Sequence, residues 1–356
     1  MRSAVALTCC KSLVNSYSMS KKMPAGEQPA IEARGLRKTY GGSRALDGID
    51  LTIRRGEVFG FLGPNGAGKT TTIRILATLT RPDGGSARVL GHDLLTEAEA
   101  IRSRVAVTGQ FASLDTDLTG HENLLLLGRL HGLSRAARRR RAADLLDAFG
   151  LSGAAGRPVG GYSGGMRRRL DIAAGLLVTP DLLFLDEPTT GLDPRSRSQV
   201  WELVRRIAAA GTTVLLTTQY LEEADLLAER IAIVDHGRIV AEGTGAQIKS
   251  RVGAGTLHLR LLDGAQRPRA RQILAGALEG TVRLAADPLA LSVLFADRPG
   301  AADLGGPAGR AMTRLAEAGI GIADLSLGRP SLDEAFLALT GRRAGAAGEE
   351  REEPPA

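Results

Sequence analysis

Residues 63–70 read GPNGAGKT and satisfy the pattern G-x-x-x-x-G-K-[ST] at every fixed position. An apolar run, EVFGFL at 57–62, precedes the pattern, and TTIRILAT at 71–78, suited to a helix, follows it. A strand, a glycine-rich turn and a helix start in that order form a phosphate cradle. The segment Gly63, Pro64, Asn65, Gly66, Ala67, Gly68, Lys69, Thr70 and Thr71 is therefore expected to bind nucleotide phosphates. Its glycines let the backbone curl so that N–H groups face phosphate oxygens, and the helix N-terminus adds partial positive charge. Lys69 would reach the β- and γ-phosphates, and the Thr70 hydroxyl would sit on Mg²⁺. Only six lysines occur in 356 residues, which makes a lysine at this position informative.

A second apolar run, LLFL at 182–185, ends in Asp186 and Glu187. A carboxylate at the C-terminal end of a buried strand can hold Mg²⁺, directly or through water. The next carboxylate can point to the γ-phosphate side and act as general base on the attacking water. Alone this pattern is weak; the phosphate loop upstream gives it weight.

The remaining order places these motifs on a fold. Residues 31–36 and 45–53 read as strands around a Gly41-Gly42 turn, and 86–90 and 105–107 as further strands. Residues 119–149 read as largely helical, with Thr119 and Glu122 as a capping box. Leu124, Leu125, Leu127 and Leu130 are expected on one apolar face, and Leu145, Leu146 and Phe149 on another. Runs 182–185 and 213–217, separated by a helix over 195–209, predict neighbours in a parallel sheet. A hairpin is expected over 230–240. Past Lys249 the texture changes to strand–helix–strand–strand–helix–strand and a last helix over 331–340, a ferredoxin-like order. We expect an ATP-binding domain over 31–249, an accessory domain over 250–342, and disordered tails at 1–30 and 343–356. Met19 or Met23 could equally be the start.

Formal net charge is +7, carried almost wholly by arginine. The densest basic run, Arg135 and Arg138 to Arg141, has no interleaved aromatic and no DNA- or RNA-binding pattern beside it. It is expected to be a solvated helix face, and nucleic acid is not an expected partner. Adjacent Cys9 and Cys10 have neither metal spacing nor disulfide partners. No stretch approaches 18 apolar residues, so membrane work would require a separate membrane subunit.

Four further segments carry a family resemblance. YSGGMRRRL at 162–170 resembles the signature of ABC-type ATP-binding subunits, with Ser163, Gly164 and Gly165 at its heart. Gln110 resembles the Q-loop glutamine, TGLD at 190–193 with Asp193 resembles the D-loop, and Tyr40 occupies the place of the adenine-stacking aromatic. The resemblance implies an α/β P-loop fold of ABC type: a RecA-like core, an antiparallel β subdomain and a helical subdomain at about 111–170. A small α+β C-terminal domain follows. It also implies a head-to-tail homodimer with ATP sandwiched between copies, Mg²⁺ held by Thr70, Gln110 and Asp186, and catalysis by Glu187, Lys69 and Gln219. Gln219 stands where the family carries a switch histidine. Glutamine can still donate a hydrogen bond to phosphate but carries no proton to exchange, so modest turnover is expected.

The form TTQYLEEA at 217–224, VTGQF at 107–111, DLTGHEN at 117–123 and LDEAFLALTG at 332–341 resemble the daunorubicin/doxorubicin-resistance subgroup of drug exporters. The resemblance implies an integral membrane permease as partner and a peripheral position on the cytoplasmic face of the cell membrane. Export of polysaccharide, lipid or peptide remains an alternative. A soluble ABC-type ATPase on nucleic acid would ordinarily bring a second cassette or a coiled-coil insertion, and this chain has neither. A regulatory module without hydrolysis is suggested only by Gln219 and opposed by the intact Asp186-Glu187 pair.

Overall fold

Continuous apolar runs decide the centre of the structure. The computed structural model describes residues 28–109, 114–253, 255–285, 287–295 and 305–341. The chain divides into two compact units, the first ending at Ile239 and the second starting at Val240.

In the first unit, β1 (Ile31–Tyr40) and β2 (Ser43–Ile53) form a hairpin. Its turn residues Gly41 and Gly42 have φ of 52° and 87°, a backbone only glycine adopts without strain. Then come β3 (Val58–Leu62), α1 (Lys69–Leu76), β4 (Gly84–Val89), β5 (His92–Asp93), α2 (Ala98–Arg102) and β6 (Val105–Thr108). Helices α3 (Gly120–Leu130), α4 (Arg135–Ala148) and α5 (Gly164–Gly175) make the helical subdomain. The chain returns through β7 (Leu182–Asp186), α6 (Pro194–Ala209), β8 (Thr213–Thr218), α7 (Leu221–Leu227), β9 (Arg230–Asp235) and β10 (Arg238–Gly243), whose residues run across the division at Ile239 and Val240.

Two sheets result. One has order β2-β1-β4-β5 with antiparallel pairing; the other has order β10-β9-β3-β8-β7-β6, with β9, β3, β8, β7 and β6 parallel. Every residue of β3 and β7 is buried, as strands covered on both faces require. Side chains alternate between two cores. Leu183, Leu185, Val214 and Leu216 join the helical subdomain, while Leu182, Phe184, Leu215, Phe59 and Phe61 pack with the antiparallel sheet and α1.

The expected helical block is two helices. Thr119 and Glu122 form the capping box, and α3 stops because Gly132 adopts φ of 75° while Leu133 N donates to Gly128 O at 2.9 Å. Leu124 is buried and Leu125 and Leu127 are half-buried, but Leu130 is 75% exposed, so the apolar face ends a turn earlier than its spacing suggested. The basic run is not wholly solvated either: Arg141 donates to Leu176 O at 2.9 Å and to Thr179 Oγ1 at 3.2 Å.

The second unit carries α8 (Gly245–Ser250), β11 (Gly255–Leu261), α9 (Arg267–Ala277), β12 (Gly280–Leu284), β13 (Ala290–Phe295), α10 (Gly305–Glu317), β14 (Ile322–Gly328) and α11 (Leu332–Leu339). Its antiparallel sheet has order β12-β13-β11-β14, the ferredoxin-like arrangement. Leu257, Leu259 and Val293 pack against Leu274 and Leu315 of the two long helices. On α11 the buried pair is Leu332 and Ala335, with Phe336 and Leu339 half-buried. Glu334 of that helix accepts from Thr256 Oγ1 at 3.1 Å.

The capping box yields a stability prediction. Thr119→Ala removes the acceptor for Glu122 N and should cost about 1 kcal/mol, lowering the melting temperature by a few degrees in thermal unfolding. An unchanged midpoint would show that tertiary packing alone sets the start of α3.

Candidate functional site

Parallel strands end together, and here three ends meet. Strand β8 lies between β3 and β7 in the sheet, so the residues that leave the C-terminal ends of all three share one edge. In open α/β sheets that edge is where ligands bind. Leaving β3 is the phosphate loop, leaving β7 is Glu187, and leaving β8 is Gln219.

The loop has the backbone its sequence demands. Gly66 and Gly68 adopt φ of 78° and 103°. A Cβ on Gly63 would collide with Val234 O, and one on Gly68 with Ala45 O and Leu46. Pro64 O accepts from Ala67 N at 3.2 Å, which closes the turn and leaves Asn65 and Gly66 exposed at its tip. Gly68 caps α1 without a side chain, so no side-chain acceptor occupies the first-turn N–H groups of that helix. Such donors, with the helix dipole, suit an oxyanion. Thr70 is exposed beside them and Thr71 is half-buried.

Lys69 ties the motifs together. Its Nζ donates to Gly63 O at 2.8 Å and Pro64 O at 3.0 Å and lies 3.2 Å from Glu187 Oε1. The two side chains are 4% and 8% exposed. An ion pair in so dry a place interacts far more strongly than one on the surface.

Glu187 has φ of 46°, a left-handed conformation that a residue with a Cβ adopts at a cost of roughly 1–3 kcal/mol. Hydrogen bonds hold it there. Glu187 N donates to Thr217 O at 3.0 Å and approaches Thr217 Oγ1 at 3.2 Å, and Thr190 Oγ1 donates to Glu187 Oε2 at 3.2 Å. The Thr217 hydroxyl in turn donates to Asp186 Oδ1 at 2.5 Å. Thr217 thus braces both carboxylate residues. Only its place at the polar end of the apolar run 213–217 hinted at such a role.

Other expected residues stand apart from this cluster. Ser163 caps α5, its hydroxyl accepting from Met166 N at 3.3 Å, and Ser163 and Gly164 are exposed. Gly165 is buried against Ser196, where a Cβ would collide. Ser196 also donates to Asp193, from N at 3.0 Å and from Oγ at 2.6 Å, and these bonds hold the Asp193 carboxyl below its ordinary range. The starts of α5 and α6 therefore abut and present Ser163, Gly164 and Asp193 to solvent. Tyr40 is 47% exposed at the end of β1, with Lys38 Nζ 5.4 Å from its ring centroid. Gln219 is exposed directly beyond β8. Gln110 lies outside the described residues.

Glu223 on α7 was not singled out from the sequence. It is fully buried, and its Oε1 accepts from Thr189 Oγ1 and Trp201 Nε1, each at 3.0 Å. Burial pushes its carboxyl above the ordinary value of 4.5, against the opposing hydroxyls of Thr218 and Thr189, the Trp201 indole and the Arg197 charge. The folded chain then keeps this proton at pH values where the unfolded chain has lost it. Stability from this group is present below 4.5 and lost as pH rises through the raised folded value. Glu223→Gln abolishes that titration. Its melting temperature should gain on the parent's as pH rises through that window; a difference constant with pH would exclude a shifted Glu223.

Comparison with known proteins places the chain. The ABC transporter family model matches residues 46–190. The daunorubicin/doxorubicin resistance ATP-binding protein DrrA of Streptomyces peucetius is 57% identical over 316 residues, spanning 88% of this chain and 93% of that protein. The doxorubicin resistance ATP-binding protein DrrA of Mycobacterium tuberculosis is 49% identical over 313 residues, spanning 87% and 93%. A dimeric ATP-binding cassette in a post-hydrolysis state, bound to ADP and Pi, superposes with a TM-score of 0.56 at 27% identity, over 60% of this chain and 98% of that one. The chain belongs to the ABC transporter family, in the branch of the daunorubicin/doxorubicin resistance ATP-binding proteins, and is an ATP-binding, ATP-hydrolysing subunit of that type.

Proposed function

We propose that two copies of this chain close head to tail on two Mg²⁺-ATP molecules and so drive a separate membrane permease that exports an amphipathic drug. The observation that carries this reading is the separation of the site into two parts. Lys69, Asp186 and Glu187 cluster at the sheet edge, while Ser163, Gly164 and Asp193 face solvent at the starts of α5 and α6. A second copy would supply the missing half to each nucleotide. Tyr40 would stack on adenine with its exposed ring.

The residues present fit a magnesium ion. Thr70 offers a hydroxyl and Asp186 a carboxylate, both hard oxygen donors, and Gln110 would add its amide oxygen. Among the described residues no three His, Cys, Asp or Glu side chains gather as a metal cage, which suits an ion completed by phosphate oxygens and water. The ion would neutralise phosphate charge. Lys69 binds the β- and γ-phosphates, and Glu187, turned toward them, takes the proton of the attacking water. Gln219 orients phosphate without exchanging a proton.

Among the described residues no helix is long and apolar enough to cross a membrane, which suits a peripheral subunit beside a permease. A cleft of about 320 Å³ beside edge strand β6, lined by Arg102, Val107, Leu127 and His131, offers a place for a permease helix. Val107, Leu126 and Leu130 are exposed in the same subdomain region. The drug class rests on the relatives' names: DrrA of Streptomyces peucetius is a daunorubicin/doxorubicin resistance protein.

Glu187→Gln keeps size and much of the hydrogen bonding but removes the base. Hydrolysis should fall about 100-fold or more while ATP binding survives, and a dimer should accumulate on sizing chromatography with ATP and Mg²⁺. A monomer hydrolysing at the parental rate would refute both base and sandwich. In cells carrying the permease the same variant should abolish drug export.

Gln219 gives a separate test. Q219H should stay active, because histidine can also donate one hydrogen bond, and Q219A should lose more. Equal ATPase rates for parent and Q219A would remove the Gln219 side chain from the reaction.

A further inference from the structure

Arg168 lies on α5, five residues beyond Ser163, and its side chain is 13% exposed. Its Nε donates to Pro188 O at 3.0 Å and its Nη2 to Asp186 O at 3.1 Å. Its Nη1 donates to Gly109 O at 2.9 Å and to Asp171 Oδ2 at 3.1 Å. One guanidinium thus grips the carbonyls on both sides of Glu187 and a third just beyond β6. The Asp186 carbonyl belongs to the peptide that enters Glu187 and the Pro188 carbonyl to the peptide one residue past it, so the fork brackets the left-handed turn at φ of 46° from which the Glu187 side chain leaves toward Lys69.

We infer that Arg168 is the positioning residue for Glu187: its fork holds the strained turn so that the carboxylate faces the phosphate site. The inference rests on the reading of Glu187 as the base. The sequence shows only a third basic residue in a run of three arginines, and two neighbours of Arg168 do different work. Arg167 bonds Tyr162 O and Gly160 O, and Arg169 bonds Phe149 O and Gly165 O, all within or beside the helical subdomain. Arg168 alone of the three reaches the catalytic strand. A buried guanidinium needs anionic company, and Asp171 and Asp186 supply it, opposing the downward pull of burial on its pKa. Lysine cannot replace it, because an ammonium has no planar fork to span two carbonyls across one residue.

The test is steady-state ATP hydrolysis by the full-length parent, R168K, R168M and E187Q, with thermal unfolding of each. R168K keeps the charge and the stem and removes only the fork. Its kcat should fall about 10- to 100-fold, the scale expected when a reacting group moves by about an ångström, while KM for ATP stays within about threefold. R168M should fall at least as far. Retention of kcat within twofold of the parent by R168K would overturn the inference. So would a loss in which KM rises in step with the fall in kcat, because that marks damage to nucleotide binding. E187Q separates this inference from the one beneath it. An inactive E187Q beside a fully active R168K rejects Arg168 alone, whereas an E187Q at the parental rate rejects Glu187 as base and the role of Arg168 with it.

Discussion

Burial of the central parallel strands on both faces is the constraint from which the rest of the first unit follows. A charged side chain in the middle of β3, β7 or β8 would be stranded between two apolar cores, at a cost that no interaction there could offset. Polar chemistry is thereby driven to the strand ends, and parallel pairing gathers those ends on one edge. Asp186 is the last residue of β7, Thr217 and Thr218 close β8, and the phosphate loop begins where β3 stops. The polar cluster at this edge follows from excluding polar groups from the sheet and is refined by hydrogen bonds that span strands.

Those hydrogen bonds also mark what the sequence could and could not reveal. The phosphate loop is legible because its backbone needs glycine at fixed places, and such a need writes itself into consecutive residues. The order of strands and helices in the second unit is legible for a similar reason, since each element is a local pattern and the ferredoxin-like sheet follows from their succession. Leu130 lies outside the buried face because helical spacing fixes which residues share a face and says nothing about where the neighbouring surface ends. Thr217, Glu223 and Arg168 were invisible on other grounds. Their partners lie 31, 34 and up to 59 residues away, and nothing in the local pattern of a threonine, a glutamate or an arginine announces such contacts.

Charge balance explains why these unannounced residues matter. Lys69, Arg168 and Arg197 are cations around the sheet edge, and Asp186, Glu187, Asp171 and Glu223 are acids there. Four carboxylates against three cations would be unfavourable in so dry a place. Burial pushes Glu223 toward its neutral form and relieves part of the excess. A divalent ion held by Asp186 and Thr70, as proposed above, would relieve more.

Gln219 raises the demand on geometry. A histidine at this position could adjust its protonation to the charge that develops on phosphate, while a glutamine can only orient a fixed dipole. Under the proposed function, proton removal from water falls to Glu187, and its rate would depend on how accurately that carboxylate is aimed. Several hydrogen bonds converge there: Thr217 from β8, Thr190 from the following loop, and Arg168 from α5 brace one left-handed residue or the carbonyls of its neighbours. Strain at Glu187 persists because these contacts, together with the Lys69 ion pair, over-determine it. Under the proposed function, a glutamine with no proton to exchange and the heavy bracing of Glu187 belong together, with position doing what protonation would otherwise do.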